Sequence, residues 1–191
     1  MNMAHITGRD IAALLNPRPV VLVTCCDSAG TPNVMSAAWH TPISHEPPIV
    51  GISIGLNRYS HTLIEKTRQF VLNIVGPEFE EVVTRCGNYS GASLDKIAQA
   101  GLRLQKSHSV LPPRIAGALG CLECQVIDRL PLGDHSLFVA SVTCADARDE
   151  CFSNGWTESI GDVLLCRQRD QFGRCEPVGA PAGAKVKGSA D

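Results

Sequence analysis

The stretch Val20-Val-Leu-Val-Thr-Cys-Cys26, followed by Asp27-Ser-Ala-Gly-Thr-Pro32 and Asn33-Val-Met-Ser-Ala-Ala-Trp39, decides how this chain folds. The first run is β-branched and apolar, as a core strand requires. Gly30 and Pro32 supply dihedrals that a strand cannot hold, which places a turn over Asp27 to Pro32. Asn33 to Thr41 then reads as the returning strand, and the three pieces form a hairpin. A parallel neighbour would need a helix-length crossover, and the connection from Cys26 to Pro32 is too short for one.

Outward from the hairpin, the same reasoning predicts strands over Ile49 to Gly55, Phe70 to Val75, Gly120 to Leu130, Ser136 to Cys144 and Asp162 to Arg167, with a turn over Pro131 to Asp134. Helices are short. One is predicted from His5 to Leu15, capped by Thr7. Another starts at the capping box Thr62-Leu-Ile-Glu65 or two residues earlier with Ser60 as N-cap. A third opens at Pro77 and Glu78, and a fourth runs from Ser93 to Ala100 with Gly101 as its stop. Gly87 to Gly91 is read as a loop. Strands outnumber helices and the turns come at hairpin spacing. The expected fold is therefore mainly β, an antiparallel barrel with short helices packed outside it.

The 191 residues suit one domain over 1–176, and the Gly-, Ala- and Lys-rich stretch 177–191 is expected to be disordered. A formal net charge of −2 offers no general electrostatic attraction for nucleic acid or an anionic membrane. No apolar run reaches the roughly 18 residues that a spanning helix needs. The first residues lack a basic region followed by an apolar stretch, so the cytoplasm is the expected compartment. Nine cysteines, an odd number at irregular spacing, fit reduced, mostly buried thiols. Cys121-Leu-Glu-Cys124 would place its two thiols on opposite faces of a strand, so no metal is expected there.

Two motifs invite chemistry. Arg58 to Thr62 opens a helix whose first N–H groups are unpaired, and Arg58, Ser60, His61 and Thr62 could complete a cradle for a phosphate. An ordinary capped helix with a solvated arginine fits the same residues. Asn33 to Ala38 has side chains small enough for a flat ring to lie against its backbone, and it also suits a well-packed hairpin strand. His135, where the Gly133-Asp134 turn enters a strand, either faces a ligand at the barrel mouth or is an exposed turn histidine. No serine-hydrolase elbow and no acid–base dyad is visible.

Taken in order, Asn16-Pro-Arg-Pro19, Gly30-Thr-Pro-Asn-Val-Met-Ser36, Pro42-Ile-Ser44, Glu46-Pro-Pro48, Asn57 to Thr62 and Phe70-Val-Leu-Asn73 resemble the flavin reductase-like family, the flavoredoxin branch of FMN-binding split barrels. Ser90-Gly91, Asp95-Lys96, Leu122-Glu-Cys124 and Gly133-Asp-His-Ser-Leu-Phe-Val139 continue the resemblance. It implies a homodimeric split antiparallel β-barrel with FMN near the subunit interface. The resemblance assigns backbone contacts with the flavin ring to Val34, Met35, Ser36 and Ala37, and places Ser53 beside the ribityl chain. It gives the phosphate to Arg58, Ser60, His61 and Thr62, with Lys96 as a further contact. His135 falls where nicotinamide or an acceptor would stack. The implied activity is hydride transfer from NAD(P)H to flavin N5, then electron transfer to a small molecule or redox protein. The alternative is a flavoredoxin-type carrier reduced by a protein partner. The segment Cys144 to Glu158 departs from the family pattern.

Overall fold

The computed structural model describes residues 3–8, 10–157, 163–168 and 170–175. The long strands are β2 (Val21–Cys26), β3 (Pro32–Ala37), β4 (His40–Ser44), β5 (Ile49–Gly55), β6 (Gln69–Ile74), β9 (Gly120–Leu132) and β10 (His135–Ala147). They form one antiparallel sheet in the order β3-β2-β6-β9-β10-β5-β4. A second sheet pairs β1 (Arg18–Pro19), β11 (Leu164–Gln168) and β12 (Gln171–Arg174), and β7 (Leu104–Gln105) pairs with β8 (Arg114–Ile115). The helices are α1 (Asp10–Ala13), α2 (Tyr59–Thr67), α3 (Glu80–Asn88) and α4 (Lys96–Gln99).

The hairpin expected at Asp27 to Pro32 is present, with Val21 opposite Ala37 and Cys26 opposite Pro32. The strand expected over Asn33 to Thr41 is instead two strands. It breaks at Ala38-Trp39, and β4 pairs with β5 at the far edge of the sheet. That break closes the barrel. Six strand spacings laid flat would separate the two edges by about 29 Å. The three Cα steps from Ala37 to His40 reach about 11 Å at most. The sheet must therefore curl until its edges nearly meet. Ser53 N–H donates to Trp39 O at 2.8 Å, which extends the β4–β5 pairing up to the break.

Curling gives β2 two buried faces, which is why its sequence is a continuous apolar run. Val21, Val23 and Cys25 point inward among Ile52, Phe70 and Phe138. Val20 and Leu22 point outward against Val83, Cys86 and Leu164. Leu63 and Ile64 of α2 complete the interior cluster. Cys121 and Cys124 lie on opposite faces of β9, both buried and unpaired, as their spacing predicts.

Other boundaries shift. Among the described residues of the expected first helix, only Asp10–Ala13 are helical, and α4 is one turn capped by Asp95. The helix expected to begin at Thr62 or just after Ser60 starts at Tyr59, because Arg58 N–H turns back to Gly55 O. Pro131 and Leu132 belong to β9, so the turn is Gly133-Asp134 alone. The last expected strand is present as β11; Asp162 and the stretch 176–191 lie outside the described residues.

Glu123 anchors the long segment between β7 and β8 to the barrel. Its carboxylate is fully buried and accepts from His108 N–H at 2.8 Å, Ser109 N–H at 2.6 Å and Ser109 Oγ at 2.7 Å. Burial pushes this carboxyl up, but those donors and the Arg114 guanidinium outweigh it and hold it below the usual glutamate value. A carboxyl lowered by folding contributes stability above its unfolded value, and that contribution disappears as pH falls through the folded value. Glu123→Gln is expected to destabilise the protein at neutral pH and to flatten its acid limb, as measured by urea unfolding across pH 3 to 7. Parallel wild-type and variant curves would contradict this.

Candidate functional site

The cleft lies where β3 meets α3. β3 is an edge strand, so half its backbone N–H and C=O groups bond β2 and the other half face outward. Its final residues are small. Ser36 and Ala37, with Val20, Arg58, Asp170 and Phe172, line a hollow of about 430 Å³. A second hollow of about 90 Å³ adjoins it, lined by Met35, Arg58, Ser60, Gly91 and Lys96 among others. Ser36, Arg58 and Gly87 wall both.

Two glycines let these walls approach. A Cβ at Gly87 would come within 2.8 Å of Ser36 Oγ, and one at Gly91 would overlap Asn33 Oδ1. Asn33 donates from Nδ2 to Ser60 Oγ at 2.7 Å, which ties the hairpin to the start of α2. Ser60 keeps its own hydroxyl proton to donate elsewhere. At the head of α2, Arg58 makes no side-chain cap bond. Its guanidinium instead donates to Gly87 O at 3.2 Å, over the cleft.

Lys96 is the decisive group. Only 4% of it is exposed, and among the described residues Nζ reaches one acceptor, Cys86 O at 3.4 Å. No carboxylate among the described residues forms an ion pair with it, although buried lysines are ordinarily paired. Burial holds its pKa below the usual lysine value; the Cys86 and Cys25 sulfurs oppose that shift and Arg58 adds to it. Two cations therefore share one small hollow at a helix N-terminus, an arrangement complementary to a dianion.

The expected site residues divide accordingly. Met35, Ser36, Ala37, Arg58, Ser60 and Lys96 all line the cleft. Val34 does not present its side chain, which is buried in the outer cluster against α3. His61 turns into the barrel, with Nε2 2.9 Å from Ser136 Oγ and its ring edge-on to Phe138. Burial holds its pKa low, against the pull of Glu65. Thr62 is exposed, one turn along α2 and outside the cleft lining. Ser53 lines a different hollow of about 260 Å³, with Leu15, Trp39 and Leu137. At its edge His135 stacks on Trp39 with centroids 4.9 Å apart, and Asp134 holds His135 Nδ1 at 2.7 Å. Gly87, Asp170 and Phe172 are wall residues that sequence reasoning missed. Two glycines flanking a polar loop were the one available signal, since Asp170 and Phe172 arrive from a distant hairpin.

The chain belongs to the flavin reductase-like family, whose domain model, the flavin reductase like domain, matches residues 14–171. An uncharacterized protein of Archaeoglobus fulgidus is 38% identical over 111 residues, 58% of this chain and 63% of that relative, so the match spans less than two thirds of its length. The NADH:riboflavin 5'-phosphate oxidoreductase of Streptomyces pristinaespiralis is 29% identical over 133 residues, 70% of this chain and 72% of that one. The FMN-binding protein from Thermus thermophilus, solved with 1-cyclohex-2-enone bound, superposes with a TM-score of 0.80 at 26% identity, over 95% of this chain and 98% of that one. No helix among the described residues is long and apolar enough to cross a membrane.

Replacing a buried, unpaired charge with an apolar chain of similar length removes a desolvation cost. Lys96→Met is expected to stabilise the ligand-free protein by about 1 kcal/mol. Thermal unfolding of both proteins after removal of any bound ligand measures it. A lower midpoint for the variant would show that Lys96 is compensated in the ligand-free state.

Proposed function

We propose that this protein is an FMN-containing oxidoreductase that takes electrons from NAD(P)H and passes them to a small-molecule or protein acceptor. One observation carries the reading: Lys96 is buried beside Arg58 with no carboxylate partner among the described residues, at the entrance of a helix and next to an edge strand of small residues. A flavin mononucleotide has the dianionic end and the flat apolar end that those two features match. When bound, the flavin supplies the redox chemistry, accepting hydride at N5 and releasing electrons onward.

In this reading Lys96, Arg58, the Ser60 hydroxyl and the first N–H groups of α2 hold the phosphate. Arg58 is oriented by Gly87 O, and Ser60 by Asn33. Outward backbone N–H groups of β3 near Ser36 and Ala37 stabilise negative charge on the reduced ring, as fixed dipoles do at an oxyanion. His61 packs beneath α2 and positions it without touching the phosphate. Trp39 and His135 offer a stacking surface for nicotinamide or acceptor. Leu15, Trp39 and Ile43 are exposed around that hollow and form part of a proposed homodimer contact. The buried thiols of Cys25, Cys26, Cys86, Cys121 and Cys124, none of them in a disulfide, suit a reducing compartment such as the cytoplasm.

Arg58→Ala and Lys96→Ala are each expected to weaken FMN retention about ten- to hundredfold, the worth of one charge-assisted contact. Thr62→Ala should leave it unchanged. Fluorescence titration of the ligand-free protein with FMN reads all three, and equal affinity in the Lys96 variant would displace the site. Anaerobic mixing with NADH or NADPH should bleach the flavin band within seconds. Reduction only by an added redox protein would establish the carrier alternative instead.

A further inference from the structure

We propose that His108, Cys144 and Asp146 form a binding site for a divalent transition cation, Zn2+ in the first instance, on the outer face of the barrel away from the flavin cleft. One donor atom from each residue, an imidazole nitrogen, the Sγ and a carboxylate oxygen, lies within 4.8 Å of the others. A tetrahedral zinc centre holds such donors about 3.5 Å apart, so exposed His108 and Asp146 need only small side-chain adjustments to close on an ion. His108 Nε2 is already 3.4 Å from Asp146 Oδ2. Thiolate, imidazole and carboxylate are ligands that zinc takes, and three of them leave a fourth position for water.

The site is built from two separate devices. The register of β10 against β9 shifts between Val142 and Cys144, leaving Thr143 as an extra residue. Such a bulge re-aims the side chains that follow it, here Cys144 and, two positions on, Asp146. The second device is the segment carrying His108, which is clamped to the same face. Buried Glu123 accepts from the N–H groups of His108 and Ser109, and Ser109 Oγ meets Thr143 Oγ1 at 2.6 Å. A buried carboxylate thus fixes the backbone of one ligand, as outer-shell groups do in metal sites. Arg114 also donates to Asp146. That donation falls on Oδ2, the oxygen that also faces His108, so a cation shares Oδ2 through its second lone pair or takes Oδ1 after a small rotation of the carboxylate, and Arg114 orients Asp146 while lowering the site's affinity. Binding converts the Cys144 thiol to thiolate and releases its proton to solvent, so affinity rises with pH.

The test uses the protein as purified, flavin included, after removal of adventitious metal with a chelator. Titration with Co2+ should give visible d–d bands to the red of the flavin absorption, saturating at one equivalent and abolished by Zn2+. Cys144→Ser and His108→Ala should each weaken binding by more than about tenfold while the unfolding midpoint is retained. In the unaltered protein, Zn2+ should protect Cys144 from alkylation, mapped by peptide mass. Absent bands, bands that survive Cys144→Ser, or alkylation of Cys144 unaffected by Zn2+ would each overturn the site and leave His108 and Asp146 as a surface contact.

Discussion

Ala38 and Trp39 are all that separates two strands lying at opposite edges of a seven-stranded sheet. A link that short imposes curvature on everything between, because no flat arrangement of those strands lets the chain pass. Closure creates an interior, and Val21, Phe70, Phe138 and the α2 residues Leu63 and Ile64 fill it. Closure also leaves β3 with one bonded side and one open side. The open side is where α3 crosses and the cleft forms.

The wall opposite β3 is held in place by packing on both faces of β2. Its outward residues support α3, and its inward ones support α2, so both helices that bound the cleft rest on one buried strand. The Asn33–Ser60 bond joins the hairpin to α2 directly, and Gly91 exists as glycine because Asn33 occupies the space of a side chain. Rigid walls suit a site whose chemistry belongs to a cofactor, since the protein's task is to fix where that cofactor lies.

Two buried charges are treated in opposite ways. Glu123 receives two backbone N–H groups and a hydroxyl, and Arg114 stands beside it. That carboxylate is satisfied within the protein and serves the fold. Lys96 has one distant carbonyl and a neighbouring cation. No carboxylate among the described residues pairs with it, and the anion proposed for this cleft would supply that partner. The contrast between the two environments separates a charge satisfied within the fold from one proposed to meet a ligand more sharply than burial alone.

The first hairpin, the strand Ile49–Gly55 and the pair β9–β10 were legible because local periodicity and turn residues specify them. The same patterns showed that Val20 to Cys26 would be buried and that Cys121 and Cys124 would diverge. Alternation along a strand reports which side is buried, however, and is silent on which strand lies alongside. The break at Ala38-Trp39 looked like continuous strand for that reason, and His61 looked like a cleft residue because helix phase depends on a start that Gly55 sets. Lys96 could be placed near the site only by family resemblance; its isolation became visible when α3, α4 and the hairpin were brought together. Local sequence thus determined the elements and their buried faces, through dihedral preference and spacing. The tertiary structure alone decided the partners, because the energies of pairing and of charge burial arise between segments far apart in the chain.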